Sequence, residues 1–188
     1  MVPTLTATLG VKGHRPVVGT WDNKDLLHVF AVVNLTTAAV HANLVDSPKG
    51  ANKATGKSKT RRLQEAFAAH LRHVARMYPA ADHRRVVLLI DNAPWHAGEL
   101  IREALADHPH LELKRLPGYS PQLNVIARFW KVLRRRATHN RLFDRIADLK
   151  RPIRNSLSDV QAVQTRIRTL IANCYPRPII NQTPSAGP

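Results

Sequence analysis

RRVVLLID, residues 84–91, decides how this chain folds. Five apolar residues run without a break from Val86 to Ile90 and end on Asp91. An unbroken apolar run of that length is the pattern of a strand buried on both faces, which belongs to α/β folds with helices above and below the sheet. The carboxyl end of such a strand is where open α/β sheets take their ligands, so Asp91 is a candidate site residue. Asp and Asn also start turns, and Asn92-Ala93-Pro94 turns the chain sharply here. Asp91 is therefore read either as a ligand or as the opening of that turn. Trp95 and His96 follow at the same mouth.

Working outward, LLHVFAVVNL (26–35) and AAVHANLV (38–45) are apolar stretches separated by a short turn, so an antiparallel pair is expected. Residues 1–20, rich in Gly, Pro and Thr, read as loop or hairpin. SPKGANKATGKSKTRR (47–62) reads as a basic loop. Leu63, Phe67, His70, Leu71, Val74 and Met77 recur at helical spacing up to Pro79. Leu100, Ile101, Ala104 and Leu105 mark a second helix ending near Pro109, and LELKRL (111–116) alternates as a strand. Phe143, Ile146 and Leu149 suggest a short helix up to Pro152, and a last helix is expected from Val160 to Cys174. A hairpin followed by alternating helices and strands implies a mixed sheet flanked by helices.

Charge narrows the partner. Lys and Arg number 29 against 13 Asp and Glu, a formal +16 over 188 residues. That excess is the electrostatic footprint of a protein that meets a polyanion, nucleic acid first. The single cysteine, Cys174, excludes an intrachain disulfide framework and fits a reducing, cytoplasmic setting. No secretory leader and no apolar run long enough for a membrane span is expected.

The stretch LNVIARFWKVLRRR (123–136) reads as a helix. Ile126, Phe129, Trp130 and Leu133 form its core stripe, and Ala127, Lys131 and Arg134 a neighbouring face. Asn124 is the expected N-cap, which puts Ala127 third in the helix. An acid there would complete a capping box and meet the helix dipole favourably. Local physics asks for Glu, and the chain has Ala. Lys131 and Arg134-Arg135-Arg136 are candidate phosphate contacts, or else a solvated charged face.

VVLLIDNAPWH followed by LPGYSPQLNVIARFWKVLRRR resembles the DDE transposases of the mariner superfamily, in their bacterial insertion-sequence branch. The resemblance covers about residues 1–140. It implies a ribonuclease H-like fold and magnesium-dependent DNA strand cleavage and transfer. Three carboxylates there hold two metal ions that clamp the attacking and leaving oxygens. Asp91 matches the second carboxylate and would be a metal ligand. Asn92 and His96 match its companions, Asn124 the asparagine before the last helix, and Trp130 a core aromatic. Ala127 stands where the family has its third carboxylate. The first is expected upstream of the segment that residues 1–20 resemble, so the chain reads as N-terminally truncated. Asp22, Asp25, Glu99, Glu103 and Asp144 offer no replacement.

The resemblance therefore implies a transposase domain that has lost catalysis, with weak or absent Mg2+ binding. The alternative is a non-enzymatic remnant that binds DNA or a parent transposase and dampens transposition, and homo-oligomers are a further expected partner. The first central strand is expected to be missing from the sheet. Residues 1–10 are a candidate substitute, although Pro3 and Gly10 suit a strand poorly. The expected organisation is a partial catalytic domain over 1–140, a helical extension over 141–180 and a disordered tail over 181–188. His70 and His73 lie one helical turn apart without a third ligand, so zinc is not expected. Trp95 and Tyr119 could stack on bases or pack within the protein.

Overall fold

The computed structural model describes residues 25–118, 120, 123–162 and 164–172, with Lys12 and Val17 as isolated positions upstream. The expectations for most of 1–20, for Tyr119, for the end of the last helix at Cys174 and for the tail lie outside the described residues.

β1 (Leu26–Val33) and β2 (Val40–Ser47) form an antiparallel hairpin that pairs Leu26 with Ser47 and Val33 with Val40. The hairpin sits two residues away from the expected boundaries because Asn34 leaves the ladder. Its Oδ1 accepts from the amides of Thr36 (2.8 Å) and Thr37 (2.9 Å), an Asx-type turn. The basic stretch 47–62 is not the loop that its composition suggests. It contains α1 (Ala51–Thr55), bounded by left-handed Gly50 and Gly56, and the start of α2 (Lys59–Met77). Ser58 caps α2 by accepting from the Arg61 amide at 3.1 Å.

β3 (Val86–Ile90) and β4 (Leu111–Arg115) pair in parallel through α3 (Glu99–Ala106). α4 (Val125–Ala137), α5 (Ile146–Ala162) and α6 (Gln164–Ala172) complete the chain. The expected helix stop at Pro152 does not hold, since α5 runs through it. Ile153 and Leu157, just beyond the proline, are buried against β1, β2 and α4. Their burial outweighs the one backbone bond that proline removes.

Strand alternation distributes the core. Leu27, Val29, Ala31 and Val33 face Phe129, Leu133, Ile153, Leu157 and Ile167 of α4, α5 and α6. Phe30 and Val32, on the opposite face, meet α2: Phe30 joins Phe67, Leu71 and Ile90, and Val32 joins Val74 and Leu111. The hairpin is thus covered on both sides. β3 is not. Leu88 and Ile90 face α2 and α3, but Val87 and Leu89 are 43% and 45% exposed, which corrects the expectation of a strand buried on both faces. The cause is tertiary: α4, α5 and α6 pack on the hairpin and leave the outer face of β3 uncovered.

Among the described residues the mixed sheet is divided in two, β1 with β2 and β3 with β4. A cleft of about 700 Å³ lies between β1 and β3, floored by α2 and flanked by the start of α4.

Candidate functional site

The chain leaves β3 at Ile90 and turns at once. Asp91 Oδ1 accepts from the Ala93 amide (3.1 Å), so the turn-opening role is real. The same carboxylate oxygen lies 3.0 Å from His96 Nδ1, and the Asp91 carbonyl lies 3.2 Å from that nitrogen. Pro94–His96 forms one short 3-10 turn that brings the imidazole back over the aspartate. Packing holds the ring there: His96 lies 4.3 Å, centroid to centroid, from Phe67 of α2. Asn92 donates to the Leu116 carbonyl (2.9 Å), tying the end of β3 to the end of β4. Arg115 donates to the His96 carbonyl (3.3 Å). These four residues make a built strand end, with Asp91 56% exposed at its tip.

The structure brings Ala127 to the same place, since Asp91, His96, Asn124, Ala127 and Trp130 all line the cleft. Ala127 is the third residue of α4, and its amide donates to the Asn124 carbonyl at 3.0 Å. Asn124 stands at the N-cap but its side chain makes no capping bond, and the first turn carries no acid. The helix therefore presents its positive end with no carboxylate of its own. Phe129 and Leu133 are buried as expected, together with Val125 and Ala137, whereas Ile126 and Trp130 are half-buried and turned towards the cleft. Trp95 also lines the cleft, its ring 6.1 Å from that of His96.

Lys131, Arg134, Arg135 and Arg136 are exposed, and Arg128 with them. None of these forms an ion pair with a described carboxylate, so a cationic face runs down α4 from the cleft. The 47–62 stretch is partly tied inward: Lys57 pairs with Glu65 (2.7 Å), and Arg62 donates to Asn52 (3.0 Å) and Ser47 (2.9 Å).

Deeper in the cleft, His70 of α2 is buried with Nδ1 2.7 Å from Asn43 Oδ1. Burial, with the nearby His73 and His41, lowers its pKa to about 4. His28 and His41 are lowered too, each chiefly by burial.

Metal chemistry can be judged from the donors. Asp91 is the one carboxylate among the described residues that line the cleft. No three described His, Cys, Asp or Glu side chains are grouped so as to hold an ion. Magnesium requires hard oxygen ligands and keeps much of its water, so these residues do not fit a two-metal centre.

Sequence reasoning located Asp91, His96 and Ala127. It missed the bonds that make them one site: Asn92 to Leu116, Arg115 to His96, and Phe67 under the imidazole. The two bonds end on main-chain carbonyls, which no residue pattern reveals.

Comparison with known proteins gives a family and a fold. The model of the DDE superfamily endonuclease family matches residues 47–150, more than half of the chain. No curated protein matches it in sequence. Among solved structures, the chain is similar to a Mos1 transposase paired-end complex with left transposon end (17% identity, TM-score 0.56, 92% of this chain and 50% of that one). It is likewise similar to a Mos1 mariner paired end complex with Mn (19% identity, TM-score 0.59, 93% of this chain and 48% of that one). The chain thus spans about half the length of each, and the likeness shows a shared ribonuclease H-like fold.

Proposed function

This chain belongs to the DDE superfamily endonuclease family, and we propose that it is a transposase-type domain that binds DNA but has lost strand cleavage. One observation carries the reading. The positions that would face each other across the metal site are Asp91 and Ala127, and the described lining of their cleft has no acid besides Asp91.

In the family reaction, carboxylates at the positions of Asp91 and Ala127 would hold divalent ions, which would supply Lewis-acid activation. Here Asp91 is already engaged by His96 and by the Ala93 amide, and a single engaged carboxylate holds Mg2+ weakly. What remains is a +16 chain with exposed cations along α4 that pair with no described carboxylate. Lys131, Arg134, Arg135 and Arg136 would neutralise phosphates, a binding mode with little sequence selectivity. The non-enzymatic reading, a remnant that competes for transposon DNA or joins a parent transposase, follows from the same two features.

The test pairs two assays on the same preparation. DNA binding is followed by fluorescence anisotropy across a salt titration, and cleavage by plasmid nicking with Mg2+ or Mn2+. Binding without nicking supports the proposal. Metal-dependent nicking that disappears in Asp91→Ala refutes the loss of catalysis, and absence of binding at low salt refutes the retained role.

A further inference from the structure

The seam between α2 and the hairpin is crowded with imidazoles. Phe30 of the hairpin packs there with Phe67 and Leu71, and Val32 with Val74. Beside these apolar contacts stand His28 of β1, His41 of β2, and His70 and His73 of α2. The His70 ring lies 6.1 Å from Phe30 and 6.5 Å, stacked, from His73, whose ring lies 6.4 Å from His41. His41 in turn meets Tyr78 edge-on at 5.6 Å. A continuous row of rings therefore joins the hairpin to the second half of α2. Polar ties cross the same seam: His70 Nδ1 lies 2.7 Å from Asn43 Oδ1, and Asn34 Nδ2 donates to the Tyr78 hydroxyl at 3.2 Å.

Positive charge fits this row badly. His70 is 2% exposed, and a buried imidazolium is costly unless a carboxylate pairs with it. The carboxylates on the surrounding elements are engaged elsewhere. Glu65 of α2 pairs with Lys57, Asp107 at the end of α3 with Arg72, and Asp46 of β2 with Lys150. Asp91 pairs with His96 of the 3-10 turn, and Glu112 of β4 with Arg85. Glu99, Arg102 and Glu103 of α3 are exposed. The other titratable neighbours bring no negative charge at neutral pH: Lys59 and Arg62 act on His28, His83 lies against the Tyr78 ring, and His110 contacts the Tyr78 carbonyl. Burial first, then His73 and His41, lowers the His70 pKa to about 4.

We propose that this row is a proton-sensitive latch. Uptake of protons by His41, His70 and His73 in mild acid releases α2 from the hairpin, while α4, α5 and α6 stay packed on the hairpin's other face. The separation follows from strand alternation. Leu27, Val29, Ala31 and Val33 hold Phe129, Leu133, Ile153, Leu157 and Ile167 on the side away from the row. Release also reaches the end of β3. Phe67 of α2 supports His96 at 4.3 Å, so the hold on Asp91 loosens as α2 leaves, while the cationic face of α4 keeps its place. The latch does not depend on the function proposed above.

Amide hydrogen exchange of the full chain, expressed as protection factors at about pH 7.5 and about pH 5, tests this. A helix freed from its packing surface is marginal in water, so release shows as exchange along α2. His70 takes its proton near pH 6.5 when released and at about 4 when packed, so by itself it raises the opening equilibrium about 30-fold at about pH 5. Protection in Lys59–Met77 should fall by that factor, and protection in Val125–Ala137 should hold. His70→Gln, which keeps a hydrogen-bonding side chain but binds no proton, should remove most of the fall. If that variant does not fold, His41→Gln/His73→Gln decides, and it should shrink the fall by removing the neighbouring charges. Equal loss of protection in α2 and α4 would mean general unfolding and overturns the latch. Unchanged protection of α2 at the lower pH overturns it too, as does a fall that persists undiminished in whichever variant folds.

Discussion

Ala127→Glu separates the structural from the catalytic meaning of this position. Ala127 is exposed at the third residue of α4, the first turn has no acid, and the N-cap side chain makes no capping bond. A carboxylate there loses little hydration and meets the positive end of the helix, which contributes about 0.3–1 kcal/mol. For a domain of this size that raises Tm by roughly 1–3 °C without metal. The introduced carboxylate would also face Asp91 across the cleft and complete a two-acid site. With free Mg2+ at ten times its Kd, binding adds about 1.4 kcal/mol, or roughly 3–5 °C more. Scanning calorimetry of four proteins resolves the two effects: the unsubstituted chain, Ala127→Glu, Asp91→Ala and the double variant, each with EDTA or Mg2+. The metal increment should appear only in Ala127→Glu. An equal increment in the double variant would refute a shared site, and a lowered Tm in EDTA would refute the helix placement.

Three other outcomes are expected. Phe129 is 2% exposed in the cluster joining α4 to the hairpin, so Phe129→Ala should cost about 3–5 kcal/mol in urea denaturation. Gly98 has φ +117 and an added Cβ would lie 2.8 Å from Gln64 Nε2, which donates to the Ala97 carbonyl; Gly98→Ala should destabilise by more than about 1 kcal/mol. His70 stays neutral when folded down to about pH 4, whereas the unfolded chain takes up its proton near pH 6.5. Stability from this group is therefore intact above pH 6.5 and falls as pH drops from 6.5 to 4, by about 3 kcal/mol, and His70→Gln should flatten that limb of the pH profile.

Much of this architecture is legible in the chain itself, wherever a local period is strong. The run Val86–Ile90, the α2 stripe and the α4 stripe all give their elements directly. Elements settled by context are not legible. α1 is a single turn between two left-handed glycines, with no periodicity to display. α5 passes Pro152 because residues far upstream bury Ile153 and Leu157. The exposed face of β3 depends on where α4, α5 and α6 dock, which no window around residues 86–90 contains. For the site, residue types and spacing pointed to Asp91 and Ala127, but only the fold puts both on one cleft. That the Nε2 atoms of His28 and His70 have no hydrogen-bond partner among the described residues has no sequence signature.

The hairpin and the helices that cover it are far apart in the chain. Lys150 of α5 pairs with Asp46 of β2 at 2.5 Å across a separation of 104 residues. During synthesis at about 5–20 residues per second, the hairpin emerges roughly 5–20 s before its cover exists. Throughout that interval Leu27, Val29, Ala31 and Val33 face solvent on one side of a two-stranded ribbon. Such a ribbon is only marginally stable alone and presents an apolar, pairing-competent surface. The nascent chain therefore passes through an interval in which this surface is open to chaperones and to other chains before its own cover exists.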